Sequence, residues 1–174
     1  FNKKGLMFLV TENLKVAVST HHIPVSEIAK NISKSKIKEQ VRILNECLIQ
    51  DFCIQKPKIA ILGLNPHAGD GGAIGPYPAD SIIQPAKYSS FDGILAMYHD
   101  QGLAPFKTIG YEEGVNYTAG LPFIRTSPDH GTAYDIAGKN LADAHSFSEA
   151  IFTAIKIFKN RTEYQELTKN PLKP

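Results

Sequence analysis

The chain has 174 residues, 43% of them hydrophobic and 21% charged, a balance that suits one compact globular domain and excludes a disordered or fibrous chain. Lys and Arg number 19 against 17 Asp and Glu, a net charge of +2, without the basic stripe and interleaved aromatics of a nucleic-acid binder. No apolar run approaches the length of a membrane span, so neither nucleic acid nor a bilayer is an expected partner.

In chain order, Gly5 to Val10 and Lys15 to Ser19 have the short, branched, apolar character of buried parallel strands. Residues 25 to 48 follow with helical spacing at Val25, Ile28, Ile32, Ile37, Val41, Leu44 and Leu48, and Ser33 to Ser35 is expected to divide them into two helices. The basic cluster Lys30, Lys34, Lys36 and Lys38 reads as a solvated helix face with its flanking loop. Lys58 to Gly63 and Gly93 to Met97 are two further strands of the same type, and Ala144 to Phe158 is a helix. Residues from Arg161 onward read as a short helix end and a tail. Strands alternating with helices predict an α/β sheet covered by helices. Cys47 and Cys53 form no CxxC pattern and read as reduced thiols of a cytoplasmic protein. The opening at Phe1, running almost directly into a strand, reads as part of a longer chain.

Open α/β sheets bind ligands beyond the carboxyl ends of their strands, and that is where the unusual residues fall. His21-His22 follow the second strand, Asn65-Pro66-His67-Ala68-Gly69-Asp70-Gly71-Gly72 the third, and Tyr98-His99-Asp100-Gln101-Gly102 the fourth. Three strand ends thus each deliver a histidine to one sheet edge. Three imidazoles with an open position commonly hold a catalytic divalent metal, although single histidines are more often hydrogen-bonded structural residues. The glycines around His67 permit close backbone approach to a ligand, but they form neither a Walker A loop nor GxGxxG. Lys107, Asn116 and Arg125 would suit an anionic substrate, Arg as a planar fork and Lys as a point charge. Two surface cations and a turn asparagine are the plainer alternative.

These motifs, together with Gly120-Leu121-Pro122-Phe123-Ile124-Arg125-Thr126-Ser127, Asp129-His130-Gly131-Thr132-Ala133 and Ile136-Ala137-Gly138, resemble the 4-hydroxythreonine-4-phosphate dehydrogenase family, in order, from about His22 to about Phe158. The resemblance implies a three-layer α/β/α fold like that of isocitrate and isopropylmalate dehydrogenases, incomplete in this chain, and a homodimer with active sites shared between subunits. It implies His22, His67 and His99 as metal ligands, with His22 chosen over His21 because it precedes Ile23-Pro24. Lys107, Asn116 and Arg125 carry over as substrate-binding residues. Lys107 and His99 are the expected catalytic groups. His130, Gly131, Thr132, Ala133 and Asp135 fall in the turn expected to bind NAD or NADP. Residues 1–120 would form a metal- and substrate-binding lobe and residues 121–174 the cofactor loop and a helix returning to the other lobe.

The implied reaction is NAD-linked oxidation of 4-phosphohydroxy-L-threonine, followed by decarboxylation to 3-amino-2-oxopropyl phosphate in pyridoxal phosphate synthesis. Zinc, magnesium or cobalt is the expected ion. A relative acting on a phosphorylated four-carbon sugar acid, or a non-catalytic fragment binding only metal and anion, are the alternatives. Gly75 runs directly into Pro76, where the family places a helix and a strand, so a segment is expected to be missing at that junction.

Overall fold

The six strands β1 (Leu6–Val10), β2 (Lys15–Thr20), β3 (Ile59–Ile61), β4 (Gly93–Tyr98), β5 (Val115–Ala119) and β6 (Thr126–Pro128) form one sheet in the order β3-β4-β2-β1-β5-β6. The computed structural model describes residues 5–67, 76–110, 113–129 and 133–170. Strands β2, β3 and β4 are mutually parallel, as the sequence predicts. The first strand is not. β1 runs antiparallel to β2 and β5, because the short turn between Val10 and Lys15 can only return the chain as a hairpin. The sheet is therefore mixed.

Period-two alternation sends Leu6, Phe8 and Val10 of β1 to one face and Leu9 to the other. On the first face lie α1 (Lys34–Gln50) and α5 (His145–Thr168), burying Leu44, Cys47, Leu48, Ala150 and Ile157. On the second lies α4 (His99–Gly110), with Leu103 and Phe106 against Leu9, Val16 and Val18. The short α2 (Ala79–Ile82) adds Ile82 there, and α3 (Pro85–Tyr88) follows it. Helices on both faces of a sheet make the expected three-layer α/β/α arrangement.

Ser33 caps α1 by accepting the Lys36 N–H at 3.2 Å, so the serine cluster starts this helix. Residues 25–31 before it form two short 3-10 turns in place of the expected first helix, with Pro24 fixing the entry. Helix α5 runs on to Thr168, so the stretch from Arg161 read as a short helix end and a tail is largely helix. Its inner side is pinned by a buried network: Tyr117 donates to Asp51 Oδ2 at 2.6 Å, Arg161 donates to the Tyr117 hydroxyl at 2.7 Å, and Arg161 also pairs with Asp51. Its outer side exposes Phe147, Ile151, Phe152, Ile155 and Phe158. Cys47 is buried and Cys53 exposed, and both are free thiols. No described helix is long and apolar enough to cross a membrane.

Helix α4 sits unusually close to the sheet. A Cβ added at Gly102 would lie 2.8 Å from Val18 and 3.1 Å from Val16, so only glycine permits this approach. That closeness places the start of α4 directly above the ends of β2 and β4.

Candidate active site

The parallel strands β2, β3 and β4 end at the same sheet edge, and their next residues build the site. After Thr20 the chain turns sharply: His22 has φ 55°, a left-handed conformation that costs a side-chain-bearing residue roughly 1–2 kcal/mol. Its ring packs edge-on against His21 and stands 6.5 Å from the His99 ring, centroid to centroid. His99 is the first residue of α4, delivered directly by the end of β4. A pocket of about 270 Å³ is lined by Thr20, His21, His22, Tyr98, His99 and Asp100.

Within it, His99 Nδ1 lies 2.7 Å from Asp100 Oδ1. A carboxylate at that nitrogen favours the tautomer with the proton on Nδ1 and leaves the Nε2 lone pair for a ligand, as in metal-binding histidines. Burial, then the charges of His22, Lys36 and His99, lowers the His21 imidazole below its ordinary value.

His67 stands on the exposed arm after β3, where its N–H is 3.2 Å from Asn65 Oδ1. Among the described residues no three His, Cys, Asp or Glu side chains converge closely enough to hold a metal ion. The structure thus brings His22 and His99 together and leaves His67 apart from them. The arm nevertheless borders the site. Asn65 and Pro66 line a second opening, about 540 Å³, that shares Tyr98 and Asp100 with the histidine pocket. Ala68 and the glycines Gly69, Gly71 and Gly72 lie outside the described residues.

The anion-binding set divides. Strand β5 runs in the direction of β2, so Arg125, just before the antiparallel β6, sits toward the histidine edge. Its Nη1 donates to Thr118 Oγ1 at 3.0 Å. Asn116 is half-buried on β5, on the same face as Thr118 by strand alternation. Lys107 is eight residues along α4 from His99, about 12 Å away. Its Nζ lies 3.5 Å from Asp129 Oδ1 at the other end of β6. The expected catalytic lysine is therefore paired with Asp129 in this structure. Of the cofactor turn, His130, Gly131 and Thr132 lie outside the described residues. Ala133 has φ 48°, and an exposed series of tight turns, with Asp135 among them, runs on to Asn140.

Three participants escaped the sequence reading. Asp100 orients His99, Thr118 holds Arg125, and Gln101 bridges β3 and β4. All three sit inside motifs or beside residues already singled out, but single polar side chains carry no spacing signal of their own.

With this geometry in view, comparison with known proteins is direct. The family model described as pyridoxal phosphate biosynthetic protein PdxA matches residues 1–75 and 72–154. The two stretches meet close to the Gly75-Pro76 junction. A 4-hydroxythreonine-4-phosphate dehydrogenase of Bacteroides thetaiotaomicron is 51% identical over 193 aligned positions, covering 98% of this chain and 53% of that protein. Those positions outnumber the residues of the chain, so part of the relative has no counterpart here. The crystal structure of a 4-hydroxythreonine-4-phosphate dehydrogenase from Burkholderia phymatum superposes with TM-score 0.73 at 36% identity, over 88% of this chain and 54% of that one. A terephthalate 1,2-cis-dihydrodiol dehydrogenase from Burkholderia xenovorans LB400 superposes with TM-score 0.67 at 26% identity, over 87% of this chain and 55% of that one. The chain spans about half the length of the relatives it matches, and the dehydrogenase-like fold implied by the resemblance is the fold it shares with these solved structures. The chain belongs to the pyridoxal phosphate biosynthetic protein PdxA family.

Proposed function

We propose that this chain forms the metal- and substrate-binding part of a dehydrogenase that oxidises 4-phosphohydroxy-L-threonine with NAD or NADP and decarboxylates the product to 3-amino-2-oxopropyl phosphate, within pyridoxal phosphate synthesis. The observation that carries this reading is the convergence of His22 and His99 in one pocket at the carboxyl edge of parallel strands, with Asp100 on the His99 ring.

The donor set fits a divalent ion: imidazole nitrogens, one ring with its Nδ1 anchored by a carboxylate. His22 and His99 would hold it, and His67 is the third ligand in this reading. When bound, the nicotinamide supplies a hydride acceptor, and zinc, magnesium or cobalt supplies Lewis acidity at the reacting oxygen. The chain's own residues do the rest. Asp100 keeps the His99 proton on Nδ1, so that the Nε2 lone pair is left for the ion. Arg125, steadied by Thr118, offers its remaining guanidinium N–H groups to a phosphate or carboxylate. Lys107 holds a positive charge beside Asp129 and is the candidate for proton transfer or charge stabilisation, with Asn116 as a neutral hydrogen-bonding partner. Ala133 and Asp135 belong to the proposed adenosine-binding turn.

In this reading the protein is a cytoplasmic homodimer with active sites completed across subunits. The exposed apolar row on α5 supports association, since patches of that kind usually mark interaction surfaces. A dehydrogenase for a phosphorylated four-carbon sugar acid is the second reading, favoured by the same two cations. An uncharged substrate would give Arg125 and Lys107 no anionic group to bind.

The test is formation of reduced nicotinamide by the complete dehydrogenase to which this chain would belong, given 4-phosphohydroxy-L-threonine and a divalent ion, with and without chelator. Chelator-sensitive turnover is expected. No turnover by a folded, metal-loaded protein would overturn the substrate assignment.

A further inference from the structure

Strands β3 and β4 pair only briefly: the last backbone bond between them is Leu62 N–H to Leu95 O, at 3.0 Å. Beyond it β3 turns its bonding to Tyr77, with Gly63 N–H donating to Tyr77 O at 2.8 Å. The ends of the two strands splay apart, and this splay opens the crevice between the His67 arm and His99. A backbone N–H left inside such a gap would cost about 1–3 kcal/mol. Here the gap is filled by one side chain. Met97 N–H donates to Gln101 Oε1 at 2.8 Å, and Gln101 Nε2 donates to Gly63 O at 2.7 Å. The carboxamide of Gln101 thus stands in for a rung of the sheet.

The chain of bonds extends to the third strand. Thr20 Oγ1 donates to Met97 O at 2.8 Å, and this bond is buried. Thr20, Met97 and Gly63 precede His22, His99 and His67 by two, two and four residues. The backbone of one residue, Met97, and one carboxamide therefore tie together the roots of all three histidine arms. Only a side chain with a donor and an acceptor on one rigid plane can occupy this place, and glutamine from the first turn of α4 has the needed reach.

We infer that Gln101 is a positioning residue for the metal centre, setting the separation of the His67 arm from His99 by bridging Gly63 to Met97. This rests on the metal reading above. It concerns neither a ligand nor a group touching substrate; Gln101 acts through the two strand ends.

The test uses the full chain and Co²⁺ alone. Gln101→Met keeps the length of the side chain and removes both bonds; Gln101→Glu keeps the acceptor for Met97 and removes the donor to Gly63. Gln101→Met should weaken Co²⁺ binding about 10-fold or more and alter the visible absorption of the bound ion, the usual scale for losing support behind metal ligands. Gln101→Glu should still unfold in one cooperative transition without metal and show the altered spectrum, a change that general loss of folding would not produce. Unchanged affinity and spectrum in both variants would overturn the inference. The bridge is also read without metal, by hydrogen exchange at the Met97 amide: protection should fall about 10-fold in Gln101→Met, and equal protection would overturn the bridge. Absence of Co²⁺ binding by the unsubstituted protein, together with that loss of protection in Gln101→Met, would overturn the metal reading and not the bridge.

Discussion

The rings of His22 and His99 stand 6.5 Å apart although the two residues are 77 positions apart in the sequence, because β2 and β4 are parallel neighbours paired through Thr20 and Tyr98. Adjacent parallel strands deliver whatever follows them to one place, and here both are followed by imidazoles. Replacing either histidine by Ala should abolish tight divalent-metal binding while leaving the fold intact, since both lie at the sheet edge and outside the core. Metal content after gel filtration checks this; a full equivalent of metal on His99→Ala would remove the ligand assignment.

Asp100 offers a finer test. Asp100→Asn keeps the side-chain shape but removes the charge facing His99 Nδ1. Metal affinity should fall about 10- to 100-fold, the range typical of a lost carboxylate behind a ligating histidine. Titration with a competing chromophoric chelator measures it.

Arg125 and Lys107 should separate in their kinetic effects. Arg125→Ala should raise the substrate KM with a smaller change in kcat, as expected for an anion anchor. Asp129→Asn releases Lys107 from its partner, a half-exposed lysine 3.5 Å from a mostly buried carboxylate, while keeping the shape of the Asp129 side chain. If Lys107 serves in proton transfer, the pH profile of kcat should shift in that variant while that of Arg125→Ala does not.

The buried network under α5 sets a stability prediction with a definite sign. Burial, then the proximity of Cys47 and Asp51, holds the Tyr117 phenol far above its ordinary value, and burial likewise raises the Cys47 thiol. The folded chain therefore keeps protons that the unfolded chain gives up, from roughly pH 8.5 for the thiol and about pH 10 for the phenol. Stability is fully present below that window and should decline as pH rises through it. Tyr117→Phe should cost about 1–3 kcal/mol at neutral pH by stripping a donor from buried Asp51, and its stability should decline less steeply above about pH 10. Urea unfolding across that window is the check.

How far the sequence led can be argued residue by residue. The strands β2, β3 and β4 were legible because they are short runs of branched apolar residues, and their loops stood out through His22, His67 and His99. The antiparallel turn of β1 was not, since a buried strand looks the same in either direction. Helix α4 was hidden by Gly102 and Pro105, both of which argue against a helix; it forms because Gly102 lets it lie close on Val16 and Val18. Strand β5 was hidden because Asn116 and Thr118 interrupt its apolar residues, the ordinary look of a strand buried on one face. In the site, the meeting of His22 with His99 followed from topology. The pairing of Lys107 with Asp129 did not, because it depends on where β6 ends, and β6 had no apolar signal.

The most direct measurement of the central claim is the ratio of CO2 released to nicotinamide reduced by the complete dehydrogenase to which this chain would belong, acting on 4-phosphohydroxy-L-threonine, with His22→Ala alongside. The account predicts one CO2 per nicotinamide reduced and neither product from the variant; nicotinamide reduction without CO2, or undiminished turnover in His22→Ala, would contradict it.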